Sequence, residues 1–340
     1  MLRIQTIFRS SVTGQIFKDQ GDRFLTVQQE DINLHRWDTS AIPSEVGRLA
    51  VVTCSTSGIG FDLALALARS GADVILTGAR QTDGHSALAK IRPQAPHALV
   101  RFEKLDLESM ASVTEFCRRL QRAERPVDLL INNACTLALL NRQVTRDRLE
   151  LHFAANYLSH FALTAGLLPL LRGSKLPRVV QLTSVGRHHG EICLDDLQLE
   201  REYTPLKAYS QSKLAMLIFA LELQRQSDTH GWGLTVSAAQ PIGSRAAKLA
   251  NSVEVTGSSG WYRRALGVAS RHHAGEGAGE GALLTSETET QADGDARISL
   301  PDLIGPPVPD ALDMRALDPG MGRVLWEMST ELAKVSWPYS

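Results

Sequence analysis

At 340 residues with 43% hydrophobic side chains, the chain can bury one large core, which favours a single long α/β domain with appendages over two equal domains. Its 36 Lys and Arg nearly cancel its 37 Asp and Glu, and no basic stripe is interleaved with aromatics, so a nucleic acid is not the expected partner. Cys54, Cys117, Cys135 and Cys193 are too far apart for a paired-Cys zinc motif and too few for a disulfide framework, which fits a reducing, cytoplasmic setting.

Residues 1–46 carry no sustained periodicity and read as an N-terminal extension. Polar residues break its apolar stretches, and Asp19 and Asp22 follow, so neither a secretory signal nor a membrane-spanning helix is expected. Residues 1–18 lack acids and contain Arg, Ser and Thr, so a mitochondrial presequence stays as the alternative. From Arg48 the pattern becomes regular. Leu49-Ala-Val-Val-Thr53 predicts a strand, and Phe61 to Ser70 predicts a helix, with Leu63, Ala66, Leu67 and Ser70 at helical spacing. Further strands are expected at Val74-Ile-Leu76, Ala98–Phe102, Val127–Ile131, Arg178–Leu182 and Leu234–Ala238, separated by helical stretches. The longest of these span 145–171 and 207–228. Strands alternating with helices imply one doubly wound parallel sheet with helices on both faces. Residues 244–315 form an irregular, Gly- and Pro-rich segment that reads as a substrate loop or lid, and 322–335 reads as a closing amphipathic helix. The main domain is accordingly placed at 47–340.

Thr53-Cys-Ser-Thr-Ser-Gly58-Ile-Gly60 lies where the first strand turns into the first helix. There a pyrophosphate would meet free backbone N–H groups and the positive end of the helix dipole, and glycine lets the phosphates approach. Taken alone, two glycines in such a turn are a weak signal, since an ordinary strand-to-helix turn also uses them. Farther on, Tyr209 and Lys213 stand four apart on a predicted helix, so both side chains leave one face. A nearby ammonium favours a phenolate, moving a group that titrates near about pH 10 toward the range of a working general acid or base.

Together these segments resemble the short-chain dehydrogenase/reductase family. The likeness runs from about Trp37 to Trp326 through the glycine turn, Leu105-Asp106-Leu107, Asn132-Asn133-Ala134, Asn156, Ser184 and Tyr209-x-x-x-Lys213, all in the family's order. The Gly190–Gln198 segment is similar to the retinol-dehydrogenase-like and WW-domain-oxidoreductase-like branch, which acts on lipophilic alcohols and carbonyls. The resemblance implies a Rossmann-type α/β fold and hydride transfer between a dinucleotide and a carbonyl or alcohol. In that scheme Tyr209 moves the proton, Lys213 also holds the nicotinamide ribose, Ser184 orients the substrate oxygen and Asn156 anchors a water in the proton relay. On the cofactor side it implies contacts from Cys54, Ser55, Ser57, Gly58, Ile59 and Gly60, from Asp106 and Leu107 near the adenine, from Asn133 and Ala134 at the adenosine ribose, and from Pro241, Ile242 and Ser244 at the nicotinamide.

The second strand ends Thr77-Gly-Ala-Arg80 with no acid to grip a ribose 2′-hydroxyl, so Arg80 points to a 2′-phosphate and NADP(H) is favoured over NAD. Cys54 and Cys135 stand where the family has glycine, and Pro241-Ile242-Gly243 replaces its Pro-Gly. Cys54 and Cys135 follow strands expected to be neighbours, which leaves either a redox-sensitive disulfide or two independent small buried thiols. Of the histidines, His152, His160, His188 and His189 have no supporting carboxylate spacing and read as core or surface residues rather than metal ligands. Two functions remain: an NADP(H)-dependent ketoreductase or alcohol dehydrogenase of a lipophilic small molecule, and a catalytically weak relative serving as a nucleotide-binding sensor or interaction protein. Pairing into a homodimer through the two long helices would have to contend with the bulky C-terminal segment.

Overall fold

Runs such as Leu49-Ala-Val-Val52 have no polar side, so they are stable only where a sheet is covered on both faces. The computed structural model describes residues 42–134, 136, 141–239, 297–299 and 315–338, all within one unit, Trp37–Ser340. Seven strands, β1 (Leu49–Val52), β2 (Asp73–Gly78), β3 (Val100–Lys104), β4 (Leu129–Asn132), β5 (Arg178–Leu182), β6 (Thr235–Ala239) and β7 (Arg297–Ser299), align in the order β3-β2-β1-β4-β5-β6-β7. Every pairing is parallel. The strand order reverses between β1 and β4, and in such sheets the crevice opens beyond the C-terminal strand ends at that point.

Alternate strand residues serve opposite faces. Ala50, Val52, Val74, Leu76 and Ile131 pack with Leu63 and Leu67 of α1 (Gly58–Arg69) and Ile91 of α2 (Gln81–Ile91). Leu49, Val51, Ile75, Leu130, Val179 and Val236 face α3 (Met110–Arg122), α4 (Ser159–Arg172), α5 (Pro205–His230) and α6 (Pro319–Ala333). Ile42 is already buried in the first layer, and Glu45 N donates to Ser70 O at 2.8 Å. Among the described residues no helix is long and apolar enough to cross a membrane.

Two elements differ from the sequence reading. Residues 145–150 are not helical. The Thr145 hydroxyl accepts from Asp147 N, Arg148 takes a left-handed φ of 63°, and Val144 bridges Glu150. Glu150 then closes the helix start with its carboxylate, accepting from His152 N at 3.0 Å and Phe153 N at 2.7 Å. The third strand begins at Val100 rather than Ala98, because Asp73 holds Leu99 N with its carboxylate before the ladder starts. The closing helix forms near its expected place as α6, started by an Asp318 cap. Its Trp326, with Trp337, packs on Phe161 of α4 at ring-centroid distances of 5.0 and 5.1 Å, covering part of the long-helix pair.

The α3–α4 contact is close enough to test. A Cβ on Gly166 would stand 2.6 Å from Cys117 Sγ and 3.0 Å from its Cβ. Gly166→Ala is expected to cost about 1–3 kcal/mol in urea unfolding, as overpacking does, and the added Cys117→Ala to recover part of it; an unchanged midpoint in Gly166→Ala would refute the packing.

Candidate active site

The turn after β1 is held from two sides. Ser55 is fully buried: its N–H donates to Thr77 O at 2.9 Å, and its hydroxyl donates to Val52 O at 2.8 Å and accepts from Thr77 N at 2.9 Å. Its N–H is therefore spent on β2 and its hydroxyl proton on β1, so Ser55 shapes the turn rather than lining it, against the expectation of a cofactor contact. Cys54 is exposed and adopts φ 49°, the left-handed region, as does Gly58 at 62°. A thiol there fits the turn only with strain that glycine would not have. Cys54 is thus not a buried thiol; Cys135, and with it the disulfide question, lies outside the described residues, although β1 and β4 are neighbours.

Gly60 is the position where no side chain fits: a Cβ would meet Asn133 Nδ2 at 2.4 Å and Cys54 O at 2.5 Å. Ser57 is the N-cap of α1 in extended conformation, but its side chain makes no cap bond and the first turn holds no acid. The orphan N–H groups at Gly58, Ile59 and Gly60 thus meet neither a side-chain cap nor a local carboxylate, which suits an anion.

Asn133 links this turn to the end of β4. Its Nδ2 donates to Thr53 O at 2.8 Å and Cys54 O at 3.3 Å, and its N–H and that of buried Ala134 donate to Thr53 Oγ1 at 2.8 and 2.9 Å. Beyond β3, Asp106 makes a local turn by accepting from Glu108 N at 3.0 Å, while Ser109, not Asp106, caps α3. Leu107 O accepts from Ser159 Oγ at 2.6 Å, fixing that loop to α4. Arg80 is the exposed N-cap residue of α2, paired with Asp83 at 2.8 Å.

Across the crevice, α5 starts with the Thr204 hydroxyl accepting from Lys207 N and with Pro205 in the first turn. It carries Tyr209 and Lys213, 5% and 2% exposed. Lys213 Nζ donates to Leu182 O at 3.1 Å, and its own carbonyl accepts from Thr183 Oγ1. Among the described residues this buried ammonium has no carboxylate partner and no other hydrogen bond, leaving two donors for a ligand. Ser184 caps the 3₁₀ turn Val185–His189 and accepts from Gly186 N at 3.2 Å. A Cβ on Gly186 would lie 2.9 Å from Tyr209 Cε1 and 3.6 Å from Ser184 Oγ, so the Tyr209 ring edge and the Ser184 hydroxyl flank one spot. Asn156 sits in a π-helical turn, Phe153–Leu158, a wide turn frequent at functional sites. Its Nδ2 donates to Thr136 O at 3.1 Å and Ser212 Oγ at 3.0 Å, and its Oδ1 accepts from Thr136 N at 2.6 Å. Both amide protons are used, so the side chain ties the loop after β4 to α5, between Tyr209 and Lys213.

Ser184 therefore lies beside Tyr209, and Asn156 is joined through Ser212 to the α5 turn that carries Tyr209 and Lys213, whereas Pro241, Ile242 and Ser244 and the 244–315 segment, apart from Arg297–Ser299 and Arg315, lie outside the described residues. Thr53, whose hydroxyl is the junction of the turn and the β4 exit, carries no sequence signal beyond its place at the end of a strand. Against the expectation that no carboxylate supports the histidines, buried His152 pairs with Glu150 at 3.0 Å across the helix start. His160 is a core residue, its ring between Asn156 O (2.8 Å) and Thr53 Oγ1 (3.0 Å). Only the i, i+4 spacing of His160 from Asn156 hinted at this.

The seven-stranded parallel sheet with helices on both faces is of the Rossmann type. The family model of short chain dehydrogenase matches residues 48–254, and the chain belongs to that family. It is 40% identical over 204 residues to mouse (Mus musculus) polyprenol dehydrogenase, covering 59% of this chain and 61% of the relative. It is 38% identical over 205 residues to mouse retinol dehydrogenase 13, covering 59% and 60%. The chain thus spans about three fifths of the length of each of these relatives. A solved structure of an uncharacterized protein from Mycobacterium Paratuberculosis superposes with TM-score 0.70 at 30% identity, covering 89% of this chain and 99% of that one.

Two stability tests follow from the site. Burial, reinforced by the Lys213 charge, pushes His160 down from 6.5 to about 4. The unfolded chain then takes up a proton that the fold refuses, so stability falls as pH drops from about 6.5 to 4, by up to about 1.4 kcal/mol per pH unit. Chemical denaturation across that range should give this slope, shallower in His160→Gln; identical slopes would contradict it. Cys54→Gly should add up to about 1 kcal/mol of stability by relieving strain and so raise the thermal midpoint, and Cys54→Val should lower it; the reverse order would rule out a left-handed Cys54.

Proposed function

We propose that this chain is an NADP(H)-dependent oxidoreductase that interconverts an alcohol and a carbonyl on a lipophilic small molecule, as a ketoreductase or alcohol dehydrogenase. The observation that carries this reading is the buried Lys213 ammonium with two unused donors, one helical turn from Tyr209. Such a charge is costly to bury without a partner, and ribose hydroxyls would supply acceptors. The α1 N-terminus, closed against any side chain at Gly60, would hold the pyrophosphate.

When bound, the dinucleotide supplies or takes up the hydride. With the dinucleotide bound, Tyr209 would give its hydroxyl proton to the carbonyl oxygen in reduction and take that proton back in oxidation. Lys213 stabilises the tyrosine anion left behind, and Ser184 donates a hydrogen bond to the same substrate oxygen. Asn156 keeps Thr136 and Ser212 in place around the pair. For the 2′-phosphate, Arg80 is exposed, and its surface bond to Asp83 is weak enough to exchange. The names of the relatives, polyprenol dehydrogenase and retinol dehydrogenase 13, support a long apolar alcohol as the substrate class. The strained thiol at Cys54 favours the second reading, a nucleotide-binding sensor with weak catalysis.

Titration with NADPH and NADH, followed by nicotinamide fluorescence, should give saturable binding tighter for NADPH; binding of neither would end the enzyme reading. Tyr209→Phe should bind NADPH within about twofold of the parent yet lose about 10²-fold or more of turnover on a retinal or polyprenal probe. Normal turnover in Tyr209→Phe would place the proton donor elsewhere, and no turnover in the parent despite binding would favour the sensor.

A further inference from the structure

His160 sits in α4 with no exposed surface. Its Nδ1 lies 2.8 Å from Asn156 O, and a carbonyl can only accept, so Nδ1 carries the proton. In the neutral ring Nε2 is then an acceptor. Facing it at 3.0 Å is Thr53 Oγ1, which must be the donor. The same oxygen accepts from Asn133 N and Ala134 N. A hydroxyl has one proton to give and two lone pairs, and all three are used, with Ile131 O a longer alternative at 3.3 Å. The direction of the chain is therefore fixed from end to end: the Asn133 and Ala134 N–H groups to Thr53, Thr53 to His160, His160 to the Asn156 carbonyl.

Each end reaches a different half of the crevice. At one end Asn133 also grips the carbonyls of Thr53 and Cys54, the backbone of the α1 turn. At the other, Asn156 holds Thr136 and Ser212 beside Tyr209 and Lys213. We propose that His160 and Thr53 are a buried positioning couple that sets the register between the dinucleotide cradle and the proton-transfer side, without touching substrate or cofactor. This deepens the reading above and rests on it for the ligand, though the couple itself exists in the free protein.

The two ring nitrogens can be replaced one at a time. Asn at 160 keeps a donor near the Nδ1 position and loses the acceptor for Thr53; Gln keeps an acceptor near Nε2 and loses the bond to Asn156. In the full chain, His160→Asn and Thr53→Val should weaken NADPH binding about tenfold, while His160→Gln and Thr53→Ser stay within about twofold. ¹⁵N NMR of the imidazoles in the ligand-free chain should place His160 in the Nδ1–H tautomer, with an Nε2 signal that shifts in Thr53→Val and is restored in Thr53→Ser. An Nε2–H tautomer, or equal NADPH affinities for His160→Asn and His160→Gln, would overturn the proposal. Should Thr53→Val not fold, Thr53→Ser, the His160 pair and the parent spectrum decide. If the parent does not bind NADPH, the functional reading falls while the ring spectrum still judges the couple.

Discussion

The constraint on which the crevice depends is the near-contact between the turn after β1 and the chain leaving β4. These segments approach so closely that Gly60 has no room for a Cβ between Asn133 Nδ2 and Cys54 O. Backbone groups crowded in this way must be hydrogen-bonded or the approach is unfavourable. One hydroxyl, Thr53 Oγ1, and one carboxamide, Asn133 Nδ2, meet most of that demand. The uncapped first turn of α1 is the outcome: a helix end kept clear of side chains and aimed over the sheet at the switch point.

The proton-transfer side is organised by the opposite tactic. Instead of glycine making space, buried polar side chains fill it and are almost fully bonded. Asn156 spends both amide protons on Thr136 and Ser212, and Ser184 caps its own turn. Lys213 differs in carrying a buried charge with a single hydrogen bond and two donors to spare, which marks where a ligand would complete the structure. Beneath this wall Phe161, Phe219, Trp326 and Trp337 interlock α4, α5 and α6, so the helices presenting these groups are held by a dense aromatic cluster. Rigid presentation of this kind is what orientation-dependent chemistry requires.

β1 is legible because a short, wholly apolar run has few alternatives, and the Tyr209–Lys213 pair because four residues make about one helical turn. The residues that sequence could not place act through tertiary contacts. Ser55 looked like a phosphate ligand from its position in the turn, yet it bonds Thr77, 22 residues away. Thr53 looked like the last residue of a strand, and its partner His160 lies 107 residues on. The helix expected from 145 starts later, since Thr145 and Glu150 offer the backbone side-chain partners that compete with helical bonds. In the sequence Cys54 shows only that glycine is replaced, because composition does not reveal φ; the left-handed backbone shows the strain.

The central claim is that the α1 N-terminus and Lys213 grip two parts of one dinucleotide. A crystal structure of the full chain grown with NADPH tests it most directly. The account predicts the pyrophosphate against the N–H groups of Gly58 to Gly60 and the Lys213 ammonium bonded to a ribose hydroxyl. A dinucleotide bound elsewhere, or one whose ribose leaves Lys213 unbonded, would contradict it.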